Sequence, residues 1–258
     1  MRRIKLTLEY QGTNYCGWQQ QDNGISIQAV IQDVLKVLFK KKTTLYGSGR
    51  TDADVHAEIQ VAHFNAETRM TCFQLMKGLN SLLPRDIVVR AVEDVTTDFH
   101  AQFSAIGKLY RYTILNRQFP TALNQPFCWY IHHDLDVEAM RKAARLLEGE
   151  KDFTSFRGAN CSARHAVRRI DRIVINREGD YIQSYFIGSG FLKHMVRILM
   201  GTLVDVGRGL RTPESIEEIL QAKNRRKAGP TAPAMGLCLV QPFYDQEEMC
   251  KRIEEFQD

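Results

Sequence analysis

The stretch Gly47-Ser48-Gly49-Arg50-Thr51-Asp52-Ala53-Asp54-Val55-His56-Ala57 separates a predicted helix from a predicted strand, and the rest of the chain is organised around it. Gly47 and Gly49 allow the backbone to adopt a positive φ or to approach another group closely. Arg50 and Asp52 place a cation and an anion two residues apart on one loop. Asp52 can accept hydrogen bonds, pair with a cation or act as a nucleophile. For an isolated loop, a turn with a local ion pair is the simpler interpretation, so the surrounding sequence has to decide.

The composition is typical of a globular chain with a sizeable core. The 258 residues are 44% hydrophobic and 25% charged, enough for one large domain or two of moderate size. The formal net charge of +5 suits a polyanionic partner without establishing one. The six cysteines form no CxxC pair, and reduced thiols are expected. No signal peptide or long apolar run is recognised, so we expect a cytoplasmic protein without a membrane segment.

Apolar spacing predicts alternating strands and helices in the first part of the chain. Residues 3–10 alternate as in a half-buried strand, and Ser26 has the character of an N-cap before an amphipathic helix. The intervening stretch from Gln11 to Gly24 is polar and is predicted to be a loop. The remaining predictions here are a strand at 58–64, a helix near 71–82, a strand at 87–92 and a loop at 99–105.

The second part of the chain continues the same mixture. Asp136 is predicted to cap one helix, and Thr212 followed by Pro213 to begin another. Leu192 is assigned to the apolar stripe of a helix that continues to Leu203. The other predictions are strands at 108–115, 180–187 and 236–244, irregular chain at 116–134 and 153–160, and a surface helix within 245–258.

This order of elements predicts an α+β fold with mostly antiparallel sheets. A strand, a glycine-containing loop and an amphipathic helix occur at 3–39 and again at 180–206, which is compatible with two similar α/β halves. No linker rich in proline, glycine or serine divides the chain. We therefore predict an N-terminal half, 1–105, that carries the Asp52 stretch, and a C-terminal half, 106–258, that completes the site.

The sequence lacks the common motifs for nucleotides, metals and acyl transfer. It offers an aspartate on a glycine-rich loop, arginine clusters and a tyrosine on a strand, which suit chemistry on a base taken out of its stack. Tyr110 is either the aromatic face for such a base or a core residue. Arg50 either contacts RNA or fills the vacated stack. Arg197 is either part of the site or a solvated side chain.

Two basic stretches are candidates for contact with an RNA backbone. They are Arg164–Arg172 and Lys223–Lys227. For the run that contains Arg168 and Arg169, a merely solvated face is the alternative.

Five segments, in order, resemble the tRNA pseudouridine synthase A family. The first is the Asp52 stretch itself, and the others lie on both sides of it across almost the whole chain. They are Tyr10–Gln19, Phe99–Ala105 with Gly107–Tyr112, Phe191–Arg197 followed by Gly201, and Ala228–Ala234 with Gly236–Leu237.

The resemblance implies roles for five residues. Asp52 matches the family's essential aspartate, and Arg50 matches the arginine that intrudes where the base was. Tyr110 matches the tyrosine that packs on the target ring. Arg197 matches the arginine that pairs with the aspartate, and Leu237 matches an apolar pocket wall.

The resemblance also implies a fold, a partner and an activity. It implies two ferredoxin-like halves that meet at a central basic cleft, and a homodimer that needs no cofactor or metal. It implies an isomerase that converts uridine to pseudouridine at positions 38–40 of the tRNA anticodon arm. Asp54 stands where the family usually has glycine, which leaves a catalytically silent RNA-binding α+β module as the alternative.

Overall fold

The computed structural model describes residues 1–21 and 24–256. Across these residues it contains ten strands and six α-helices. The strands are β1 (Arg2–Tyr10), β2 (Tyr46–Gly47), β3 (His56–Ala66), β4 (Ile87–Val95), β5 (Gly107–Asn116), β6 (Trp129–Ile131), β7 (Gly149–Asp152), β8 (Val167–Glu178), β9 (Tyr181–Gly188) and β10 (Leu237–Phe243). The helices are α1 (Ile27–Phe39), α2 (Cys72–Leu82), α3 (Val137–Arg145), α4 (Met195–Gly207), α5 (Ser215–Ala222) and α6 (Gln246–Glu254).

The chain groups into two compact units. The first consists of Met1–Ile106 with Cys238–Tyr244, and the second of Gly107–Leu237 with the chain from Asp245 onward.

The first unit is a sheet in the order β4-β1-β3-β10, with β2 paired to β3. Strand β1 runs antiparallel to both β3 and β4, and β10 joins β3 in parallel. Ile4, Leu6 and Leu8 alternate along β1 and are fully buried, as their spacing predicts. Helices α1 and α2 pack against each other, and α2 packs against β4. The Asp52 stretch is therefore the connection between β2 and β3.

Local capping explains where the two helices of this unit begin. The Ser26 hydroxyl accepts a hydrogen bond from the Ala29 N–H at 3.2 Å, as expected for an N-cap. Thr71 and Gln74 form a reciprocal capping box at the start of α2. The predicted Ser26 cap is confirmed, and α2 lies where a helix near 71–82 is predicted, although its capping box is not part of that prediction.

The second unit is an antiparallel sheet in the order β5-β9-β8-β7, with β6 added in parallel to β5. Helix α3 packs against β8 and α4. The core includes Tyr112, Phe186 and Leu199, which are all fully buried. Each unit combines helices with mostly antiparallel strands, so the fold is α+β as predicted.

Four details differ from the sequence-based predictions. Strand β6 lies within the predicted irregular segment 116–134, and β7 within the unassigned chain before 153. Both are too short to show a hydrophobic period. Leu192 precedes α4, because His194 has a φ of +60° that breaks helical geometry before Met195. Thr212 is not an N-cap, since α5 begins at Ser215. Of the predicted loop 11–24 and tail helix 245–258, residues 22–23 and 257–258 lie outside the described residues.

A buried histidine connects the segment 99–105 to strand β3. His63 is 2% exposed, and its Nδ1 accepts a hydrogen bond from the Ala101 N–H at 3.1 Å. Burial, followed by the nearby positive charges of His100 and Arg3, lowers the pKa of His63 to about 4. The neutral imidazole therefore holds this segment in place at neutral pH.

Acid should loosen this connection. Because the pKa of His63 is lower in the folded protein than in the unfolded chain, the unfolded chain binds the proton first as pH falls below about 6.5. We expect the free energy of unfolding to drop between pH 6.5 and 4, by on the order of 2 kcal/mol from this group. Urea unfolding at several pH values measures the drop. His63→Asn keeps an acceptor without the titration and should flatten the profile; parallel profiles for both proteins would contradict the assignment.

Candidate active site

The Asp52 loop, residues 47–57, enters the site against a buried tryptophan. Trp18 is 2% exposed and packs directly on Gly47, where a Cβ atom would lie 2.5 Å from the indole ring. No larger residue fits at position 47 without moving the indole. Close approach is thus the reason for this glycine.

A buried polar pair fixes the next two residues of the loop. Ser48 and Gln60 are fully buried, and the Ser48 hydroxyl is hydrogen-bonded to Oε1 of Gln60. The Gln60 amide donates to the Gly49 carbonyl at 3.0 Å. The backbone of Ser48 and Gly49 is therefore attached to β3, the strand that follows the loop.

The centre of the loop is held by residues 10–18, which we name the N-terminal clamp. The backbone N–H of Trp18 donates to the Thr51 carbonyl at 3.1 Å, and the backbone N–H of Asp54 donates to the Tyr15 carbonyl at 3.4 Å. Gly17 has a φ of +101°, and a Cβ there would lie 2.5 Å from the Thr51 oxygen. Backbone contacts on both sides of Asp52 thus set its position.

Side chains strengthen the same clamp. The Tyr10 hydroxyl and the Thr51 hydroxyl share a buried hydrogen bond of 2.8 Å. Burial raises the pKa of Tyr10 well above its usual value, so the phenol stays protonated. The Gly12 N–H donates to Nδ1 of His56 at 3.1 Å, and Gly12 lies against the Val55 carbonyl. The loop therefore has fixed partners from its start to its end.

Asp52 itself is half-buried, and Arg50 is exposed. The Val55 N–H donates to the Asp52 carbonyl at 3.3 Å and closes a tight turn. Asp54 within this turn has a φ of +64°, in the left-handed region that glycine adopts most easily. The turn therefore holds the half-buried Asp52 on a backbone that these contacts fix in place.

Tyr110 lies on β5 in the second unit. It is 7% exposed, and its ring meets Phe191 edge to face with the centroids 5.3 Å apart. Tyr112, on the same face of the strand, donates its hydroxyl to the Pro233 carbonyl at 2.7 Å. The two tyrosines therefore tie β5 to the segments around Phe191 and Pro233.

Arg197 lies half-buried on α4 and fixes the segment that precedes β10. Its Nε donates to the Ala232 carbonyl at 2.8 Å, and the Ala232 N–H donates to the Arg197 carbonyl at 3.1 Å. A Cβ on Gly201 would lie 2.0 Å from the Pro230 oxygen, so this glycine allows the segment to approach the helix. Leu237 is 5% exposed at the start of β10. The predicted site residues are thus distributed as Arg50 and Asp52 in the first unit and Tyr110, Arg197 and Leu237 in the second.

The two basic stretches are largely engaged within the protein. Arg169 pairs with Asp171 at 2.6 Å, and Lys223 pairs with Asp152 at 2.9 Å. The Arg168 guanidinium donates to backbone carbonyls of its own segment. Much of the positive charge that the sequence displays there is therefore offset locally.

Neither a metal centre nor a membrane helix is found in the described part of the chain. Over residues 1–21 and 24–256, no three His, Cys, Asp or Glu side chains are grouped to hold one metal ion. Over the same residues, no helix has the length and apolarity to cross a bilayer.

Comparison with known proteins identifies the family. A model of the tRNA pseudouridine synthase family matches residues 7–104 and 143–245. The chain belongs to this family. It is 48% identical over 239 residues to tRNA pseudouridine synthase A of Geobacter sulfurreducens, covering 93% of this chain and 98% of that protein. It is 43% identical over 244 residues to tRNA pseudouridine synthase A 2 of Clostridium perfringens, covering 95% and 100%.

One solved structure with weaker similarity is a Cbf5-Nop10-Gar1 complex. The match has a TM-score of 0.39 and 13% identity, and it covers 93% of this chain and 59% of that chain.

Pseudouridine synthases are isomerases. In this chain, contacts between the clamp and the Asp52 loop explain why two of the family-like segments occur together. The family-like segment 10–19 contains the N-terminal clamp, residues 10–18, whose glycines fit against the backbone of the Asp52 loop. Sequence reasoning assigned no role to Tyr10 or Gln60, which hold the loop in this pseudouridine synthase. Both are ordinary residues on predicted strands, and only their pairing across the fold shows what they do.

The left-handed turn at Asp54 gives a stability prediction. Replacing Asp54 by glycine should stabilise the protein by about 0.5 kcal/mol, because glycine adopts a φ of +64° without a Cβ penalty. Urea unfolding measures the difference. The matched control is Ala53→Gly on the same loop, which only increases the freedom of the unfolded chain and should destabilise. If both glycines destabilise equally, the turn at position 54 carries no strain.

The buried Tyr10–Thr51 hydrogen bond gives an activity prediction. Tyr10→Phe leaves the Thr51 hydroxyl without this partner and should cost about 1–2 kcal/mol of stability. It should also lower kcat, because the loop that carries Asp52 loses a support. The control is Tyr15→Phe, which removes a clamp hydroxyl that contacts Asp86 instead. The assay is pseudouridine formation at a temperature where both variants remain folded. Equal kcat for both variants would show that the Tyr10–Thr51 bond does not position the loop.

Proposed function

We propose that this protein isomerises uridine to pseudouridine at positions 38–40 of the tRNA anticodon arm, with Asp52 as the nucleophile. One observation carries the proposal. In a chain 43–48% identical to named tRNA pseudouridine synthases, the aspartate that the family resemblance marks is half-buried on a loop whose backbone is fixed on both sides.

The chemistry suits a rigid carboxylate. The N1–C1′ glycosidic bond breaks, a C5–C1′ bond forms, and the proton on C5 is replaced at the end by one on N1. Substrate and product are neutral isomers, so the atoms balance without a cofactor. Asp52 as an ionised carboxylate can attack the base, attack C1′, or take a proton from the sugar. The proposal covers all three routes.

The other residues take the roles that the family resemblance assigns. Tyr110 supplies an aromatic face for the uracil, which must turn without leaving. The ring of Tyr110 packs edge to face on Phe191. Leu237 supplies an apolar wall.

The two arginines supply charge. Arg197 pairs with the carboxylate and orients it. Arg50, exposed on the loop, occupies the place that the flipped base leaves.

The proposal extends to the arrangement of the whole protein. It places the Asp52 loop in an N-terminal half, 1–105, and the remaining site residues in a C-terminal half, 106–258. The two ferredoxin-like halves form a basic cleft for the tRNA. The active form is a homodimer in the cytoplasm.

Replacing the carboxylate tests the chemistry. Asp52→Asn should abolish turnover, lowering the rate of pseudouridine formation by about 10³-fold or more, while tRNA binding stays largely intact. The assay is tritium release from C5-labelled uridine in tRNA transcripts, with binding measured separately. Asp54→Asn is the matched control, because asparagine tolerates the same backbone turn and should keep activity. Undiminished release from the Asp52 variant contradicts the assignment.

The same assay decides the alternative of a silent RNA-binding module. The aspartate at position 54 was its only support, and the left-handed φ there is one that aspartate tolerates. A wild-type protein that binds tRNA and releases no tritium would establish the silent module.

A further inference from the structure

Lys108 lies on β5, two residues before Tyr110. Side chains two residues apart in a strand point to the same face and lie roughly 7 Å apart. Lys108 therefore shares its face with Tyr110 and Tyr112. Lys108 is half-buried, whereas both tyrosines are buried.

No anion within the described residues neutralises this ammonium group. The Lys108 side chain makes no hydrogen bond or ion pair there. The residue directly opposite on β9 is Gly188, which has no side chain. The neighbouring cross-strand position, opposite Tyr110, is Phe186. Burial without a compensating charge lowers the pKa of Lys108 to about 8.

An unpaired and partly desolvated cation is costly to keep in a fold. Long polar side chains usually direct their charge to water or to a partner. A methionine or leucine would pack at this position without that cost. A ligand that brings its own negative charge would give the ammonium group the partner that the protein does not provide.

Resting on the proposed function, we infer that Lys108 binds a backbone phosphate of the tRNA at the nucleotide whose base lies against Tyr110. Phosphates are the anionic groups of RNA, and contacts to them fix the register of a bound nucleic acid. A phosphate held beside the tyrosine ring sets the position of the target uridine. Lys108 is thus a substrate-binding residue outside the five that the family resemblance marks.

Three variants test this inference. Lys108→Met removes the charge and keeps the apolar stem, Lys108→Arg keeps the charge, and Lys142→Met removes an equal charge from an exposed position on α3. For Lys108→Met we expect about tenfold weaker binding of tRNA and a salt dependence reduced by about one phosphate contact. Lys108→Arg should stay within a few-fold of wild type, and Lys142→Met should be unchanged. Thermal unfolding should show Lys108→Met at least as stable as wild type, which a merely structural lysine would not give.

Substrates locate the phosphate. A methylphosphonate at the phosphate on either side of the target uridine removes one negative charge. At one of these positions it should weaken binding by wild type about as much as Lys108→Met does, and have little further effect on the variant. If Lys108→Met fails to fold, Lys108→Gln takes its place in the same comparison.

The outcomes separate this inference from the proposed function. Unchanged affinity and unchanged salt dependence in a folded Lys108→Met overturn the inference. If Lys108→Met lowers only kcat and leaves tRNA affinity unchanged, the inference is also overturned, and a role of Lys108 in proton transfer is indicated instead. Absence of tritium release from wild type overturns the proposed function alone, because the phosphate contact is measured by binding.

Discussion

The backbone contact between the N-terminal clamp and the Asp52 loop is the constraint on which the site depends. A carboxylate on a surface loop has many conformations, and fixing one costs about 1–2 kcal/mol of backbone entropy per residue. Here the cost is offset by hydrogen bonds that are removed from water, above all the Trp18 N–H to the Thr51 carbonyl. Gly17 is necessary because a side chain there would collide with the same carbonyl. The loop and the clamp therefore have to be encoded together.

The second unit uses the same principle with different residues. The segment from Pro230 to Ala232 lies close enough to α4 for Ala232 and Arg197 to exchange two hydrogen bonds, and Gly201 makes room for it. One of these bonds uses Nε of Arg197, which leaves its terminal nitrogens to other partners. In each unit a glycine permits close backbone approach, and the approach orients a charged side chain.

Sequence reasoning recovered what is local in this protein. Helix α1 begins at the predicted Ser26 cap, and α2 lies in the predicted range near 71–82, because apolar spacing and helix-end residues are local signals. The α+β class follows from the order of such elements. Strands β6 and β7 were missed because three or four residues show no period.

The supports of the site could not be predicted in this way. The hydrogen bond between Tyr10 and Thr51 joins residues 41 positions apart, and the sequence around neither residue indicates it. The sequence also does not show how the basic stretches are engaged, since the carboxylate that pairs with Lys223 comes from Asp152, far away in sequence. The net charge calculated from a sequence includes every cation, whereas the fold determines which cations are already paired with a carboxylate and which can still attract a polyanion.

That distinction bears on how a protein with a formal net charge of only +5 binds a polyanion. Total charge is a weak guide to affinity when cations such as Arg169 already have carboxylate partners, because RNA would have to replace an existing interaction. A cation without such a partner gives the phosphate its whole interaction. The proposed phosphate contact of Lys108 would place that interaction two residues from Tyr110, next to the proposed position of the base, at the expense of an unsatisfied charge in the free protein. On this proposal, Lys108 lowers the stability of the free protein, and the bound phosphate offsets that cost.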